Sequence, residues 1–258
     1  MNPRVLILRA PGTNCDEETA HAFALAGGAP ERWHVNRLLA EPRRVAEFQI
    51  LCLPGGFSYG DDVAAGRILG NQLQHHVADV LAAFRDAGNL ILGICNGFQV
   101  LLKTELLLAG DLAGPAATLA ANDSGKYEDR WVRLAAAGSK CVFLSGITSL
   151  ELPVAHGEGK FVPRDAATLE ALRGAGQLVL RYVGLDGEAK PQATYPANPN
   201  GAIDDVAGVC DATGRVFGLM PHPERFVDPT QHPHWTRGPA RDVGDGLRVF
   251  QNAVAYFR

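Results

Sequence analysis

From Arg4 to Leu107 short apolar runs, most of them closed by Gly or Pro, alternate with stretches of helical periodicity. Arg4–Arg9 ends at Pro11-Gly12, Glu31–Val35 follows, Gln49–Leu53 ends at Pro54-Gly55-Gly56, and Asn89–Cys95 runs into Gly97. Asn14, three residues before Glu17, predicts a capping box at the start of a first helix. Ala20, Phe23, Ala24 and Leu25 give that helix an apolar face, and Gly27-Gly28 ends it. Asp61 or Asp62 is expected to cap a second helical region reaching about Phe84, broken near Gly66 or Gly70, and Gly97–Leu107 reads as a third. Strands separated by helices require right-handed crossovers and a parallel sheet covered on both faces.

The second half changes character. Trp131–Leu134, Lys140–Leu144, Leu150–Ala155, Leu178–Val183 and Ala189–Thr194 are β-like runs with no room for helices between them. Val206–Cys210 and Arg215–Leu219 flank Asp211-Ala212-Thr213-Gly214, a hairpin signal. Residues 226–245, rich in Pro, His and Gly, form a long loop, and Gly246–Tyr256 closes the chain as an amphipathic helix. With no repeat, low-complexity tract or linker, residues 1–258 are expected to form a single α/β domain. Its doubly wound, mostly parallel sheet would carry an antiparallel elaboration in the second half. At 258 residues and 47% apolar, such a chain can bury a core without disulfides or metal staples.

Composition removes several functions. Lys and Arg total 24 against 28 Asp and Glu, a net charge of −4, so no strong basic footprint for nucleic acid is present. The apolar runs are too short to span a bilayer, and Met1-Asn2-Pro3-Arg4 leads into one too short for a signal-peptide core. Five cysteines, an odd number with no C-x-x-C pair, argue against a disulfide scaffold or thiolate zinc site and for a reducing cytosol.

Chemistry concentrates at Gly93-x-Cys95-x-Gly97, the thiol counterpart of a nucleophile elbow, at an expected strand-to-helix junction. The glycines remove side chains that would collide across a strained turn. The following helix directs its amide dipoles at the sulfur, favouring thiolate, and the Asn96 N–H is placed to meet an oxyanion. A thiol nucleophile needs a base and an orienter. His222 and Glu224 follow the Arg215–Leu219 strand, stiffened by Pro221 and Pro223, and spacing of two puts both side chains on one face of an extended chain. The Pro54–Asp61 turn brings glycine amides close to a ligand and could supply a second oxyanion donor.

Other candidates read as ordinary structure. Cys15, Cys52, Cys141 and Cys210 lack an elbow, though Cys15 begins a helix after a strand. His75-His76 reads as a solvated helix face, His232-x-His234 as a loop without a further metal ligand, and His156–Lys160 as a polar turn that could line a pocket. No metal site is expected.

Taken together, Arg9–Asp16, Pro54–Asp61, Gly93–Gln99, Pro153–Phe161, Tyr195–Gly201 and Gly218–Phe226 resemble the class I (triad-type) glutamine amidotransferases. Within them the chain is most similar to the glutaminase subunits of phosphoribosylformylglycinamidine synthase, over essentially its whole length. The resemblance implies a flavodoxin-like fold, Cys95 as nucleophile, His222 as base and Glu224 as its orienter. It implies the Gly56 and Asn96 amides as the oxyanion hole and Gln99 as a weaker substrate contact. It also implies partners: a synthetase subunit, which holds ATP and magnesium, and a third small subunit. This chain itself would carry no cofactor. Two other classes remain open: another Cys-His-Glu enzyme on the same fold, and a non-catalytic protein that kept the fold.

Overall fold

The computed structural model describes residues 2–112, 114–137, 140–184, 193–237 and 241–258. The first half comprises β1 (Arg4–Arg9), α1 (Asp16–Leu25), β2 (Ala29–His34), α2 (Val35–Ala40), β3 (Ile50–Leu53), α3 (Arg67–Asp86), β4 (Leu90–Ile94) and α4 (Asn96–Lys103). The second half comprises β5 (Ala117–Ala120), β6 (Glu128–Ala136), β7 (Ser149–His156), β8 (Lys160–Pro163), α5 (Ala166–Gly174), β9 (Leu178–Val183), β10 (Val206–Cys210), β11 (Val216–Leu219) and α6 (Leu247–Ala255).

Nine strands form one sheet in the order β2-β1-β3-β4-β11-β10-β9-β6-β7. The members from β2 to β11 pair in parallel, and β10, β9, β6 and β7 extend the sheet antiparallel. This is the expected mostly parallel α/β core with its antiparallel elaboration. Every residue of β3, β4 and β11 is buried, as parallel strands covered on both faces require. β7 instead alternates buried and partly exposed residues, the signature of a sheet with one wet face. A separate β5–β8 ribbon lies outside the main sheet. Helix α3 covers the sheet with Leu69, Leu73, Val77, Leu81 and Phe84, and α1 meets α6 through an edge-on Phe23–Phe250 contact at 4.8 Å. Among the described residues, no helix is long and apolar enough to cross a membrane.

Several local expectations fail for identifiable reasons. α1 has no capping box: Cys15 holds the cap position without a side-chain bond, and its thiol donates to Asn14 Oδ1 at 3.2 Å. Asp16, Glu17 and Glu18 offset this by placing negative charge at the helix start. Leu25 is exposed, whereas Thr19, Ala22 and Phe23 face the core. Neither Asp61 nor Asp62 caps α3, because Gly66 in the left-handed region (φ 70°) starts it. Helix α4 ends at Lys103, short of Leu107. Lys140–Leu144 is no strand: Val142–Leu144 makes a 3-10 turn that buries the adjacent Phe143 and Leu144. Helix α5 occupies ground read as having no room for one; Asp165 caps it by accepting from Thr168 N at 2.7 Å. The Ala189–Thr194 run falls mostly outside the described residues, as does part of the 226–245 loop.

The sheet order positions the site. Leu53 pairs with Gly93, Gly93 with Gly218 and Ile94 with Leu219. The carboxyl ends of β3, β4 and β11 therefore emerge side by side, carrying Pro54–Gly56, Cys95 and the His222 segment to one rim.

Candidate active site

Cys95 stands between β4 and α4 with φ 51° and ψ −106°, outside both strand and helix conformations. A non-glycine residue holds such a backbone only where its surroundings over-determine it. Here the Cys95 N–H bonds Leu219 O at 2.8 Å, and the Cys95 carbonyl accepts from Phe98 N at 2.9 Å and Gln99 N at 3.1 Å. Both flanking glycines are sterically required. A Cβ on Gly93 would lie 2.6 Å from Gly97 O, and one on Gly97 would lie 1.9 Å from Leu53 O. Cys95 is buried, its sulfur 3.7 Å from Ala155 O at the end of β7.

His222 N donates to Pro153 O at 2.8 Å, which pins the segment after β11 to β7. Its Nδ1 lies 2.6 Å from Glu224 Oε1, with the imidazole 2% and the carboxylate 0% exposed. His222 Nε2 is buried without a hydrogen-bond partner. His222 and Cys95 line the same cavity, about 60 Å3 in volume. Burial pulls the His222 pKa down, but the Glu224 carboxylate, with the Cys95 and Cys15 sulfurs, outweighs it and holds it well above the ordinary imidazole value.

Gly56 lines that cavity at φ 139°, a conformation open only to glycine; a Cβ there would lie 2.7 Å from Asn14 N. The loop after β1 clamps this turn, since Phe57 N bonds Gly12 O at 2.9 Å and Tyr59 N bonds Pro11 O at 2.7 Å. Asn96 begins α4 directly after the thiol, its side chain accepting from Ser58 N at 3.3 Å. Gln99 is not on the cavity wall. Its Oε1 accepts from Asn96 Nδ2 at 2.9 Å and its Nε2 donates to Glu158 O at 2.6 Å.

A family model described as the CobB/CobQ-like glutamine amidotransferase domain matches residues 2–257. The chain belongs to this amidotransferase family. It is 49% identical over 256 residues to the phosphoribosylformylglycinamidine synthase subunit PurQ of Dehalococcoides mccartyi, covering 99% of this chain and 98% of that one. The subunit of the same name from Methanococcus maripaludis strain S2 is 42% identical over 268 residues, covering 99% and 97%. The structure of PurLQS from Thermotoga maritima matches with a TM-score of 0.76 at 31% identity, covering both chains fully. The resemblance drawn from the sequence motifs therefore holds at the level of family and fold.

Some neighbours of this amidotransferase site escaped the sequence reading. Cys15 Sγ lies 4.0 Å from His222 Nδ1 and accepts from Arg225 Nη2 at 3.2 Å. Burial pushes its thiol pKa up, partly offset by His222 and Arg225. Its place after a strand was the one available signal. Tyr127 and Phe57 line the cavity and are 51% and 43% exposed, their ring centroids 6.3 Å apart; no periodicity marks either. Among the described residues, Cys15, His222 and Glu224 bring potential metal-ligand atoms within 4.8 Å. Those atoms are already engaged by the His222–Glu224 bond and the Arg225 cation, which disfavours a second cation there.

The remaining histidines separate cleanly. His156 is no polar turn: it ends β7, 3% exposed, with Nδ1 3.1 Å from Asn122 Oδ1. Burial first, then His222, lowers its pKa to about 4. His75 and His76 are exposed on α3 as expected. His232 packs edge-on against Trp131 at 4.5 Å, with Nε2 3.5 Å from Glu151 Oε1. Asp61 accepts from Asn96 Nδ2 at 2.9 Å; burial and then Glu158 raise its carboxyl pKa to about 6.

Proposed function

We propose that this chain is the glutaminase subunit of phosphoribosylformylglycinamidine synthase, acting as one domain over residues 1–258. The observation that carries the reading is His222, tied to Glu224 through Nδ1 and free at Nε2 in the cavity that Cys95 shares. The 49% identity to a subunit of that name supports the specific reaction.

Glu224 fixes the imidazole so that Nε2 takes the Cys95 proton. The thiolate attacks the side-chain amide carbon of glutamine, and its oxygen becomes an oxyanion facing the Gly56 and Asn96 N–H groups. Collapse breaks the C–N bond; His222 returns the proton and ammonia leaves. Water, deprotonated by His222, then cleaves the Cys95 thioester and releases glutamate. Gln99 acts through Asn96 rather than through a free amide of its own. The cavity of about 60 Å3 is far below ordinary ligand-site volumes, so glutamine entry requires its walls to part.

The glutaminase half-reaction needs no cofactor. The ammonia passes to a synthetase subunit, which uses ATP and magnesium to convert formylglycinamide ribonucleotide to the amidine. A third small subunit completes the assembly, in keeping with PurLQS of Thermotoga maritima. The setting of this reaction and the five free, buried cysteines suit the cytoplasm.

The test is glutamate release by the chain alone and with the synthetase subunits, ATP and formylglycinamide ribonucleotide. Strong stimulation by the full mixture is expected. A folded chain that shows none would remove the purine assignment.

A further inference from the structure

We propose that Asp61 is a positioning residue of the glutaminase reaction: its carboxylate, bonded to Asn96 Nδ2, holds the turn bearing the Gly56 amide in register with the helix start bearing the Asn96 amide. The inference rests on the glutaminase reading above and deepens it. The two proposed oxyanion donors lie on segments far apart in the chain, so something must hold them to one geometry.

The Asn96 side chain does this. It is 3% exposed, and each polar atom is committed. Oδ1 accepts from Ser58 N at 3.3 Å, two residues beyond Gly56. The two Nδ2 hydrogens go to Asp61 Oδ1 and Gln99 Oε1, both at 2.9 Å. Gln99 passes the constraint to Glu158 O at 2.6 Å, and Glu158 Oε2 accepts from Ala65 N at 3.3 Å. Asp61 thus closes a ring that runs from the turn to the helix and back.

The turn needs such a tie. Tyr59, Gly60 and Asp61 have φ of 56°, 72° and 54°, and Val63 has 72°. Non-glycine residues stay in this region only when held there. Gly56, at φ 139°, is held on its other side by the loop after β1, through Phe57 N and Gly12 O. On the α4 side Asp61 adds its hold to the Ser58 N bond with Asn96 Oδ1. The Asp61 carboxylate is bonded to Asn96 and also accepts from the backbone of Gly66, the residue that starts α3, so it ties the turn to both helices.

The test uses Asp61→Ala and Asp61→Asn chains assembled with the synthetase subunits, ATP and formylglycinamide ribonucleotide. Asparagine keeps an acceptor oxygen for Asn96 Nδ2; alanine does not. Glutamate release is measured across glutamine concentrations, beside the rate at which iodoacetamide alkylates Cys95. Alkylation displaces iodide with the thiolate and develops no oxyanion, so it reports the thiol without the donors. Asp61→Ala should lower kcat about 100-fold, with KM within about twofold and alkylation unchanged. Asp61→Asn should restore most of kcat. A raised KM at unchanged kcat would overturn the proposal in favour of a substrate contact. A parallel fall in alkylation would make the residue merely structural. An Asn variant as poor as Ala would overturn the proposal, because an acceptor oxygen for Asn96 Nδ2 would then not suffice. Should Asp61→Ala fail to fold, Asp61→Ser, too short to reach Asn96, replaces it. If the wild-type assembly releases no glutamate, it is the glutaminase reading that fails.

Discussion

The carbonyl oxygen of Leu53 sits 1.9 Å from where a Cβ on Gly97 would be. The first turn of α4 therefore rests directly on the end of β3. That contact joins the elbow to the Pro54-Gly55-Gly56 turn, so the thiol and the first glycine donor share one packed backbone. A second close approach faces it: a Cβ on Gly218 would lie 2.2 Å from Phe98 Cδ2.

Gly97→Ala should accordingly destabilise the chain by about 1–3 kcal/mol, because the added methyl meets backbone rather than a movable side chain. Urea unfolding measures it. Gly174→Ala is the control, since no atom lies within 4 Å of its Cβ position and its φ is not positive; it should be neutral or slightly stabilising. Equal destabilisation by both would contradict the packing argument.

Glu224→Gln should keep the shape of the His222 pair while removing the charge that orients the ring. A glutamine amide can donate to Nδ1 and so favour the wrong tautomer. Glutaminase kcat should fall about 1,000-fold or more. A loss of less than about tenfold would show that Glu224 does not set the imidazole.

His156 predicts an acid-labile fold. Its pKa is about 4 in the folded chain against 6.5 when unfolded. Between these values the unfolded state binds the proton and the folded state does not, so stability falls as pH drops from 6.5 toward 4. The loss across that window is about 3 kcal/mol. His156→Gln should be less stable than wild type at neutral pH yet lose less on acidification. Urea midpoints at both ends of the window measure this; equal slopes for the two chains would contradict it.

Much of this was legible in the sequence because the physics there is local. β3, β4 and β11 are apolar throughout, since both faces of each are covered, and they read as strands at once. The elbow glycines announced themselves because only glycine fits beside Gly97 O and Leu53 O. His222 and Glu224 do meet, as expected, but through a 3-10 turn over Pro223–Arg225 rather than along an extended chain. What stayed hidden depends on contacts far apart in sequence. Helix α5 is short and turns only Leu169 and Leu172 toward the core, an apolar stripe too brief to stand out among the β-like runs around it. Asp61 looked like a helix cap because its partner, Asn96, is 35 residues away. Cys15 and Tyr127 reach the cavity only through the sheet order, which no local pattern encodes.

The central claim is that Cys95 generates the ammonia and the partner synthetase consumes it. The direct measurement is amidine synthesis by the assembled enzyme carrying Cys95→Ala, driven first by glutamine and then by added ammonium. The account predicts no synthesis from glutamine and near wild-type synthesis from ammonium. Retained glutamine-driven synthesis, or loss of both together, would contradict it.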